Sequence, residues 1–456
     1  MPTLNTAATV DFTKVTGKLN HALHGSNNCP SLANRNNYTF SQDFLKMNFY
    51  ATRTHDWALW NAGQRIVDTH FIFPLMKLDP ADPTNYYFRA TDDIIKMAHD
   101  CNMRVFYRLG TSIEHSGANN TADHYNTLVP EDFDKYAEVL AGIVRHYTRG
   151  WADGFEYDDM KYWEIWNEPD LFHRMWCGTY EEFVRFFVIV LKRLKSEFPE
   201  LKIGGPALKV LNEPLFRQLL AACKEAGIAP DFISWHRYSQ NVDEMVYLPV
   251  RARKLLDELG FTETELCINE WHYLTSWEGI SVLAPADLRD STMNSTFGMH
   301  GIDSACFNLA VLSGWQDGPL DSAFYYGASP FGPWGFRDSN CRENKNSFSM
   351  KMFGRLLFEA EEKVESARCN LPNTVYTLAA KAKNGNNGIL LVTDYRGEGE
   401  TVEIEVNGME DAVSVSAEVL DNDHNQFPAR LIWDGRTLTL LKNRHGSAAF
   451  YVTFKR

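Results

Sequence analysis

Short apolar strands alternate with amphipathic helices from residue 19 to residue 364, and this alternation narrows the choice of fold more than any other feature. The helix predicted over 180–197, for example, starts after a capping box formed by Thr179 and Glu182. About eight strands take part, and the last is predicted at 303–309. Strict alternation over this length predicts an α/β fold, the (β/α)8 TIM barrel. No glycine-rich dinucleotide fingerprint follows the first strand, which disfavours an open doubly wound sheet.

The pattern changes after about residue 365. Segments such as 401–406 and 437–441 alternate apolar and polar residues, and Asn, Gly and Asp turns separate them. This pattern is typical of the short antiparallel strands of a β-sandwich. The sequence therefore predicts three regions, which are an N-terminal segment 1–18 that joins the sandwich, a catalytic barrel 19–364 and a C-terminal β-sandwich 365–456.

Two predicted strands end in an Asn-Glu pair. Residues 162–168 read Tyr-Trp-Glu-Ile-Trp-Asn-Glu, and the following Pro169 cannot continue a strand ladder. Residues 265–271, Glu-Leu-Cys-Ile-Asn-Glu-Trp, have the same form. Because the C-terminal strand ends of a TIM barrel meet at one face, Glu168 and Glu270 are expected to face each other across its mouth. The hydrolysis of a glycosidic bond requires two such facing carboxylates.

Charge and composition argue against several classes of partner. The chain has 45 basic and 59 acidic residues and a net charge of −14, whereas nucleic acids and anionic membranes attract basic patches. Aromatic residues make up 13%, which suits carbohydrate, since the C–H faces of sugars pack on aromatic rings. No H-E-x-x-H motif or clustered His/Asp set predicts a metal, and no cofactor is expected.

The cysteines and the N-terminal residues bear on localisation. Eight cysteines are scattered without a Cys-x-x-Cys pair, and free buried thiols suit a reducing compartment. The first residues have neither the basic nor the apolar region of a signal peptide. A cytoplasmic protein is therefore expected. The alternative is a secreted or periplasmic protein whose leader has been removed.

Several of these segments resemble a known group of enzymes. Residues 166–169 (Trp-Asn-Glu-Pro) resemble the acid/base motif of the retaining clan A glycoside hydrolases, and 268–271 (Ile-Asn-Glu-Trp) resemble their nucleophile strand. Residues 236–238 (His-Arg-Tyr) resemble the clan's sixth strand, and Arg53 matches the arginine after its second strand. With the early segment 24–28 (His-Gly-Ser-Asn-Asn) and the C-terminal sandwich, the chain is most similar to glycoside hydrolase family 39, which includes β-xylosidases and α-L-iduronidases.

This resemblance implies double displacement through a covalent glycosyl-enzyme, with Glu168 as acid/base and Glu270 as nucleophile. It also implies that Tyr238 and Arg53 orient and stabilise ionised Glu270, and His236 is a second candidate at the same strand tip. Other substrate-binding residues are expected at Asn167 for the sugar 2-hydroxyl, at His55 and Asp56, and at Trp315 as a platform after the eighth strand. The third strand departs from the clan, because it ends in 107–110 (Tyr-Arg-Leu-Gly), where several of the clan's families have a histidine.

The expected substrate is a plant or microbial oligosaccharide or polysaccharide, cleaved from its end as by a β-xylosidase. The alternatives are an endo-acting glycanase of the same clan and a non-catalytic carbohydrate-binding relative, and the intact carboxylate pair favours an enzyme. Trp176 and Trp277 are equally expected as sugar platforms or as loop packing. Glu164 is expected to be a buried acid that its neighbours satisfy. The sugar, the linkage and the oligomeric state do not follow from the sequence.

Overall fold

The computed structural model describes residues 5–28, 30, 41–56, 65–111, 126–281, 283–328, 332–338 and 340–456. Within these ranges, none of the helices combines the length and the hydropathy needed to cross a lipid bilayer.

The first strand of the chain, β1 (Thr6–Lys18), lies outside the barrel, and the next eight strands close into a parallel ring in chain order. β9 pairs with β2 and closes the ring, so the predicted TIM barrel is confirmed. The ring strands are β2 (Gly25–Asn27), β3 (Ala51–Arg53), β4 (Arg104–Leu109), β5 (Tyr162–Ile165), β6 (Lys202–Leu208), β7 (Phe232–Ser239), β8 (Glu265–Tyr273) and β9 (Ser322–Tyr325).

Helices surround the ring and bury one face against it. The capping box predicted for the fifth helix is present, since Thr179 Oγ1 accepts from the Glu182 N–H and the Glu182 carboxylate accepts from the Thr179 N–H. The helices are α1 (Ser41–Met47), α2 (Thr69–Ile72), α3 (Arg89–Asp100), α4 (Phe133–Thr148), α5 (Tyr180–Glu197), α6 (Glu213–Glu225), α7 (Val242–Leu259), α8 (Ala286–Asn294), α9 (Ile302–Trp315) and α10 (Lys345–Glu359).

The eighth strand is not where the sequence predicts it. Residues 303–309 belong to α9, and the strand that closes the barrel is β9. α9 packs against α7 and α10 on one side and against the C-terminal sheet on another, so all of its residues except Gly314 are buried. A helix that is apolar on every face has no 3.6-residue periodicity, and a short apolar run within it has the same composition as a buried strand.

The remaining strands form a ten-stranded sheet with β1 in its middle. β1 pairs antiparallel with β10 and parallel with β13. The sheet begins at Ala360, directly after α10, rather than at 365. Its other strands are β10 (Ala360–Arg368), β11 (Val375–Ala382), β12 (Gly388–Asp394), β13 (Thr401–Asn407), β14 (Ser414–Leu420), β15 (Asn425–Pro428), β16 (Leu431–Trp433), β17 (Thr437–Leu441) and β18 (Ala448–Lys455).

The sheet folds over on itself into a sandwich. β16 is at one end of the strand order and β18 is near the other, yet the ring centroids of Trp433 and Phe454 are only 5.4 Å apart. Every second residue of β13 points into the enclosed core, including Val402, Ile404 and Val406. This period of two is the alternation that predicts a sandwich in the sequence.

Candidate active site

Glu168 and Glu270 lie close together at the C-terminal mouth of the barrel. Their nearest carboxylate oxygens are no more than 4.8 Å apart, and each is within that distance of a ring nitrogen of His236. The Glu168 side chain is 16% exposed and that of Glu270 is 6% exposed. Glycosidases that invert the anomeric configuration need room for a water between carboxyls about 6.5–9.5 Å apart, whereas retaining enzymes hold them at about 5–5.5 Å.

Irregular backbone after β5 turns Glu168 towards the mouth. Trp166 and Glu168 have φ values of +75° and +45°, a region that side-chain-bearing residues rarely adopt. The Glu168 N–H donates to the Ala207 carbonyl at 2.9 Å, and the Trp166 indole donates to the Met175 carbonyl at 2.9 Å. These bonds, made from neighbouring segments, hold a strained turn in place, as is common at functional sites.

An irregularity between β7 and β8 does the same for Glu270. Trp235 pairs with Ile268, but the next residue of β7, His236, pairs with Glu270, so β8 has one residue more at this level. In a regular strand, successive side chains alternate between the inside and the outside of the barrel. Here Asn269 and Glu270 both face inwards, since Asn269 contacts Glu164 and Glu270 contacts His236.

His236 joins the two glutamates. Its Nδ1 lies 3.0 Å from Glu168 Oε1 and 2.5 Å from Glu270 Oε2. Burial alone would lower the pKa of His236, but the charge of Glu270 and the contacts to both carboxylates raise it to about 9. Burial raises the pKa of Glu270, and His236 opposes that rise. The imidazolium is thus a counter-charge that favours the ionised form of buried Glu270.

Arg53 is expected to orient and stabilise Glu270, but its ion-pair partner in the structure is Glu164, below the site. Both side chains are fully buried, with Arg53 Nη2 2.7 Å from Glu164 Oε2. Glu164 Oε1 also accepts from Ser234 Oγ and Asn269 Nδ2, each at 2.6 Å. Glu164 is therefore a satisfied structural acid, as predicted, and Arg53 influences Glu270 only through its charge.

Arg53 also reaches the residue before the acid/base candidate. Its Nη2 donates to Asn167 Oδ1 at 2.8 Å, and Asn167 is fully buried. This bond identifies Oδ1 as the amide atom that faces Arg53. The amide nitrogen of Asn167, which can donate, therefore faces the other way. An amide held this way beside Glu168 suits contact with a sugar hydroxyl, which is the position expected for it.

Tyr238 and Glu270 are both described, and no hydrogen bond joins them. The contact expected of the tyrosine is made by His236 instead. The two residues are two positions apart on β7 and therefore point to the same face. The Tyr238 ring instead packs against Trp277, Trp334 and Tyr326 at centroid distances of 4.9, 5.4 and 6.3 Å.

His55 and Asp56 line another side of the site, as expected. His55 Nε2 is 3.5 Å from Glu270 Oε1 and 3.5 Å from Asp56 Oδ2. Burial lowers the pKa of His55 well below its usual value, so this imidazole is neutral at pH 7. Asp56 accepts from the hydroxyl of Tyr326 at 2.7 Å and lies 3.3 Å from Arg65 Nε.

The prediction of Trp315 as a platform is wrong. Trp315 ends α9, which precedes the eighth strand, and it is 1% exposed. Its indole donates to the Met245 carbonyl at 2.8 Å, and its ring packs edge-on against Trp271. Tyr326 is the aromatic residue directly after the true eighth strand, and it faces Asp56 and His55. The aromatic pair at 325–326 is the signal that could have located it, although the sequence predicts a loop there.

Three arginines near this site are each paired with a carboxylate. Arg108, near the end of β4, forms an ion pair with Asp68, and both are buried. Arg53 pairs with Glu164, and Arg65 with Asp56. The trio Glu168, His236 and Glu270 also has the spacing of three metal ligands. The two carboxylates raise the pKa of His236 to about 9, so a cation held by this trio would have to displace the imidazole proton.

Comparisons with known proteins agree with this geometry. The sequence model of the family described as "Glycosyl hydrolases family 39" matches residues 16–252, which is more than half of the chain and includes Glu168 and His236. A protein named "Beta-xylosidase" from Caldicellulosiruptor saccharolyticus is 26% identical over 193 residues, 38% of each chain. Another of that name from Geobacillus stearothermophilus is 24% identical over 173 residues, 37% of this chain and 34% of the relative. The matches thus span less than two fifths of these relatives.

Solved structures resemble the whole chain in fold. A glucosidase from Croceicoccus marinus superposes with a TM-score of 0.76 at 21% identity and covers 99% of both chains. A GH39 enzyme from Xanthomonas axonopodis pv. citri has a TM-score of 0.71 at 14% identity and covers 100% of this chain and 98% of its own. On the family match over residues 16–252, supported by this shared architecture, the chain belongs to glycosyl hydrolase family 39.

Proposed function

We propose that this protein is a retaining glycosidase that removes a neutral sugar, of the xylose type, from the end of an oligosaccharide or polysaccharide. The observation that carries the proposal is the carboxylate pair, whose nearest oxygens are within 4.8 Å of each other and share the imidazole of His236. This short separation suits a nucleophile that attacks the anomeric carbon directly. The relatives named "Beta-xylosidase" support the choice of sugar.

In the first step, Glu168 gives its proton to the glycosidic oxygen while Glu270 attacks the anomeric carbon. The glycosidic bond breaks, the leaving group departs as an alcohol, and the sugar is bound to Glu270 as an ester. In the second step, Glu168 takes a proton from water, the water oxygen bonds to the anomeric carbon, and Glu270 leaves as a carboxylate. Two inversions at the same carbon retain its configuration.

In this cycle, His236 stabilises the negative charge first on Glu270 and then on Glu168. Before the first step, the charge is on Glu270, which is 2.5 Å from His236 Nδ1. After it, Glu270 is an uncharged ester and Glu168 has become the carboxylate, 3.0 Å from the same nitrogen. A single N–H donor between two acids therefore stabilises whichever one is ionised.

The charges around the site favour a neutral sugar over a uronic acid. A uronate needs a cation whose charge is not already balanced, and Arg53, Arg65 and Arg108 each form an ion pair with a carboxylate of the protein. The iduronidase-type activity found in the family would add a negative charge to a site that already contains two glutamates. This argument separates two activities that the carboxylate pair alone does not separate.

The test is hydrolysis of nitrophenyl xyloside, glucoside and glucuronide by the wild type, Glu270→Ala and the control Glu263→Ala, which changes an exposed acid just before β8. We expect cleavage of a neutral glycoside, no cleavage of the glucuronide, and a loss of at least about 10³-fold in Glu270→Ala. Added azide should restore that variant and give a glycosyl azide of inverted configuration. A Glu270→Ala variant as active as Glu263→Ala would refute the proposal.

A further inference from the structure

Trp277 differs from the other tryptophans that the structure describes, because most of its surface faces solvent. It is 61% exposed, whereas Trp176, which the sequence could not distinguish from it, is fully buried. Trp277 comes after β8 and is seven positions after Glu270 along the chain. The structure therefore separates the two alternatives, since Trp176 is packing and Trp277 is available to a ligand.

An aromatic wall leads from the two glutamates to Trp277. The ring of Tyr238 is 4.9 Å from that of Trp277 and 5.4 Å from that of Trp334. Trp334 is in turn 5.2 Å from Tyr326, whose hydroxyl donates to Asp56 beside His55. We call Tyr238, Trp277, Trp334 and Tyr326 the aromatic wall. Its inner end is at the catalytic residues and its outer end is the exposed ring of Trp277.

The turn that carries Trp277 is held in place. The Gly279 N–H donates to Ser276 Oγ at 3.0 Å and closes the turn. A side chain at Gly279 would clash with Thr292 of α8, so the turn packs directly on that helix. A large apolar ring kept exposed on a fixed turn gains nothing from burial in the protein alone. It is, however, a pre-organised surface for the C–H face of a sugar.

The site has an enclosed end and an open end. We infer that the sugar bound to Glu270 occupies the enclosed end and that the leaving group occupies the open end. The residues that surround the reacting carbon in the proposed mechanism are buried. None of Asn167, His55 and Glu270 is more than 5% exposed. The leaving group must depart to solvent after the first step, so its place is towards the open end. Trp277 is the exposed part of the wall at that end.

We propose that Trp277 is the platform for the leaving-group sugar, stacking on its C–H face, and that this contact selects a glycosidic partner over a small alcohol. The inference rests on the proposed glycosidase function. It assigns the leaving-group side of the substrate to a neutral pyranose, which packs on an indole without needing a charged partner.

The first test compares xylobiose with methyl β-xyloside as substrates of the wild type, Trp277→Ala, Trp277→Phe and Phe427→Ala. Phe427 is a matched control because it is 59% exposed but belongs to β15 of the sandwich. We expect Trp277→Ala to lose at least 10-fold more kcat/KM on xylobiose than on the methyl glycoside. Trp277→Phe should recover part of the difference, and Phe427→Ala should match the wild type. An equal loss on both substrates in Trp277→Ala would overturn the proposal.

A binding experiment tests the platform separately from catalysis. In Glu168→Gln, which leaves the substrate uncleaved, xylobiose or cellobiose should change the tryptophan fluorescence, and adding Trp277→Ala should remove that change. A change of equal size without Trp277, or no change with either disaccharide, would contradict the platform. If the wild type hydrolyses no glycoside, the proposed function fails, but this titration still decides whether Trp277 binds a sugar.

Discussion

At the scale of single residues, the site depends on which charges are paired and which are shared. Arg53 and Glu164 neutralise each other in the barrel interior, with further bonds from Ser234 and Asn269 to Glu164. Glu270, in contrast, shares one imidazole with Glu168. The carboxylate oxygens of Glu164 are already occupied by hydrogen bonds from the protein. The N–H of His236, in contrast, can donate its hydrogen bond to either Glu168 or Glu270. This difference separates the structural acid Glu164 from the two catalytic candidates.

The pH dependence of activity should reveal the role of His236. Because the imidazolium lowers the pKa of buried Glu270, His236→Gln should move the acid limb of the kcat/KM profile to higher pH and reduce activity about 10²-fold. Tyr238→Phe is the control, since the Tyr238 hydroxyl makes no hydrogen bond to Glu270 among the described residues. An acid limb that stays in place in His236→Gln would show that the imidazole does not tune the nucleophile.

The pKa of His236 also links activity to stability. Its folded-state pKa is about 9, above the usual 6.5, so the imidazolium stabilises the fold fully below pH 6.5. That contribution is lost as the pH rises through about 9. In wild type, the free energy of unfolding should therefore fall over this window more steeply than in His236→Gln, as measured by denaturant unfolding at several pH values.

At the scale of elements, local signals predict some features well and others not at all. Thr179 with Glu182 locates the start of α5. The Asn-Glu pairs locate the ends of two barrel strands only to within three residues, because β5 ends at Ile165 and β8 continues to Tyr273. The inward direction of both Asn269 and Glu270 depends on an extra residue in the β7–β8 pairing, which no local pattern in β8 records. For the same reason, the sequence could not say whether His236 or Tyr238 reaches Glu270.

In α9 and in β9, the local sequence pattern predicts the wrong structure. α9 is covered by the barrel on one side and by the sheet on the other, so its apolar composition reflects tertiary packing. The strand predicted within α9 puts the predicted eighth strand before the true one, β9. The platform position is therefore predicted at Trp315, although Tyr326 is the aromatic residue that lies beside the site.

The capping box of α5 offers a prediction at this scale. Thr179→Ala removes the acceptor of the Glu182 N–H at the start of the helix that comes after the acid/base loop. We expect a loss of about 1 kcal/mol in the free energy of unfolding. The matched control is Thr262→Ala, an exposed threonine in a turn. Chemical denaturation of both variants measures the difference, and equal stabilities would show that the cap contributes nothing.

At the scale of the whole molecule, barrel and sandwich are joined by α9 and by a polar contact. Arg396, just after β12, donates to Asp303 of α9 at 2.6 Å and to the hydroxyl of Tyr273, the last residue of β8, at 2.8 Å. Asp303 also accepts from Ser447 at 2.6 Å. The strand that holds Glu270 is therefore anchored at its end by the second unit of the protein.

The N-terminal strand should be essential to the sandwich. Phe12 of β1 is 2% exposed and its ring centroid is 5.6 Å from that of Phe454. Phe12→Ala should lower the free energy of unfolding by about 3–5 kcal/mol, because it leaves a cavity in the sandwich core. Val15→Ala, in the same strand but 45% exposed, should change it by less than about 0.5 kcal/mol. Thermal unfolding of the two variants side by side makes the comparison, and similar melting temperatures would contradict it.

The place of β1 in the sheet matters for synthesis on the ribosome. Lys18 meets Glu361 across the β1–β10 pair, 343 positions further along the chain, and β13 covers the other edge of β1. While the barrel emerges and folds, β1 has neither neighbour, and its two edges are open to other extended chains. A nascent chain stalled before β10 is made therefore carries a folded barrel beside an unpaired strand. Such chains are the ones on which a chaperone that recognises extended segments should act.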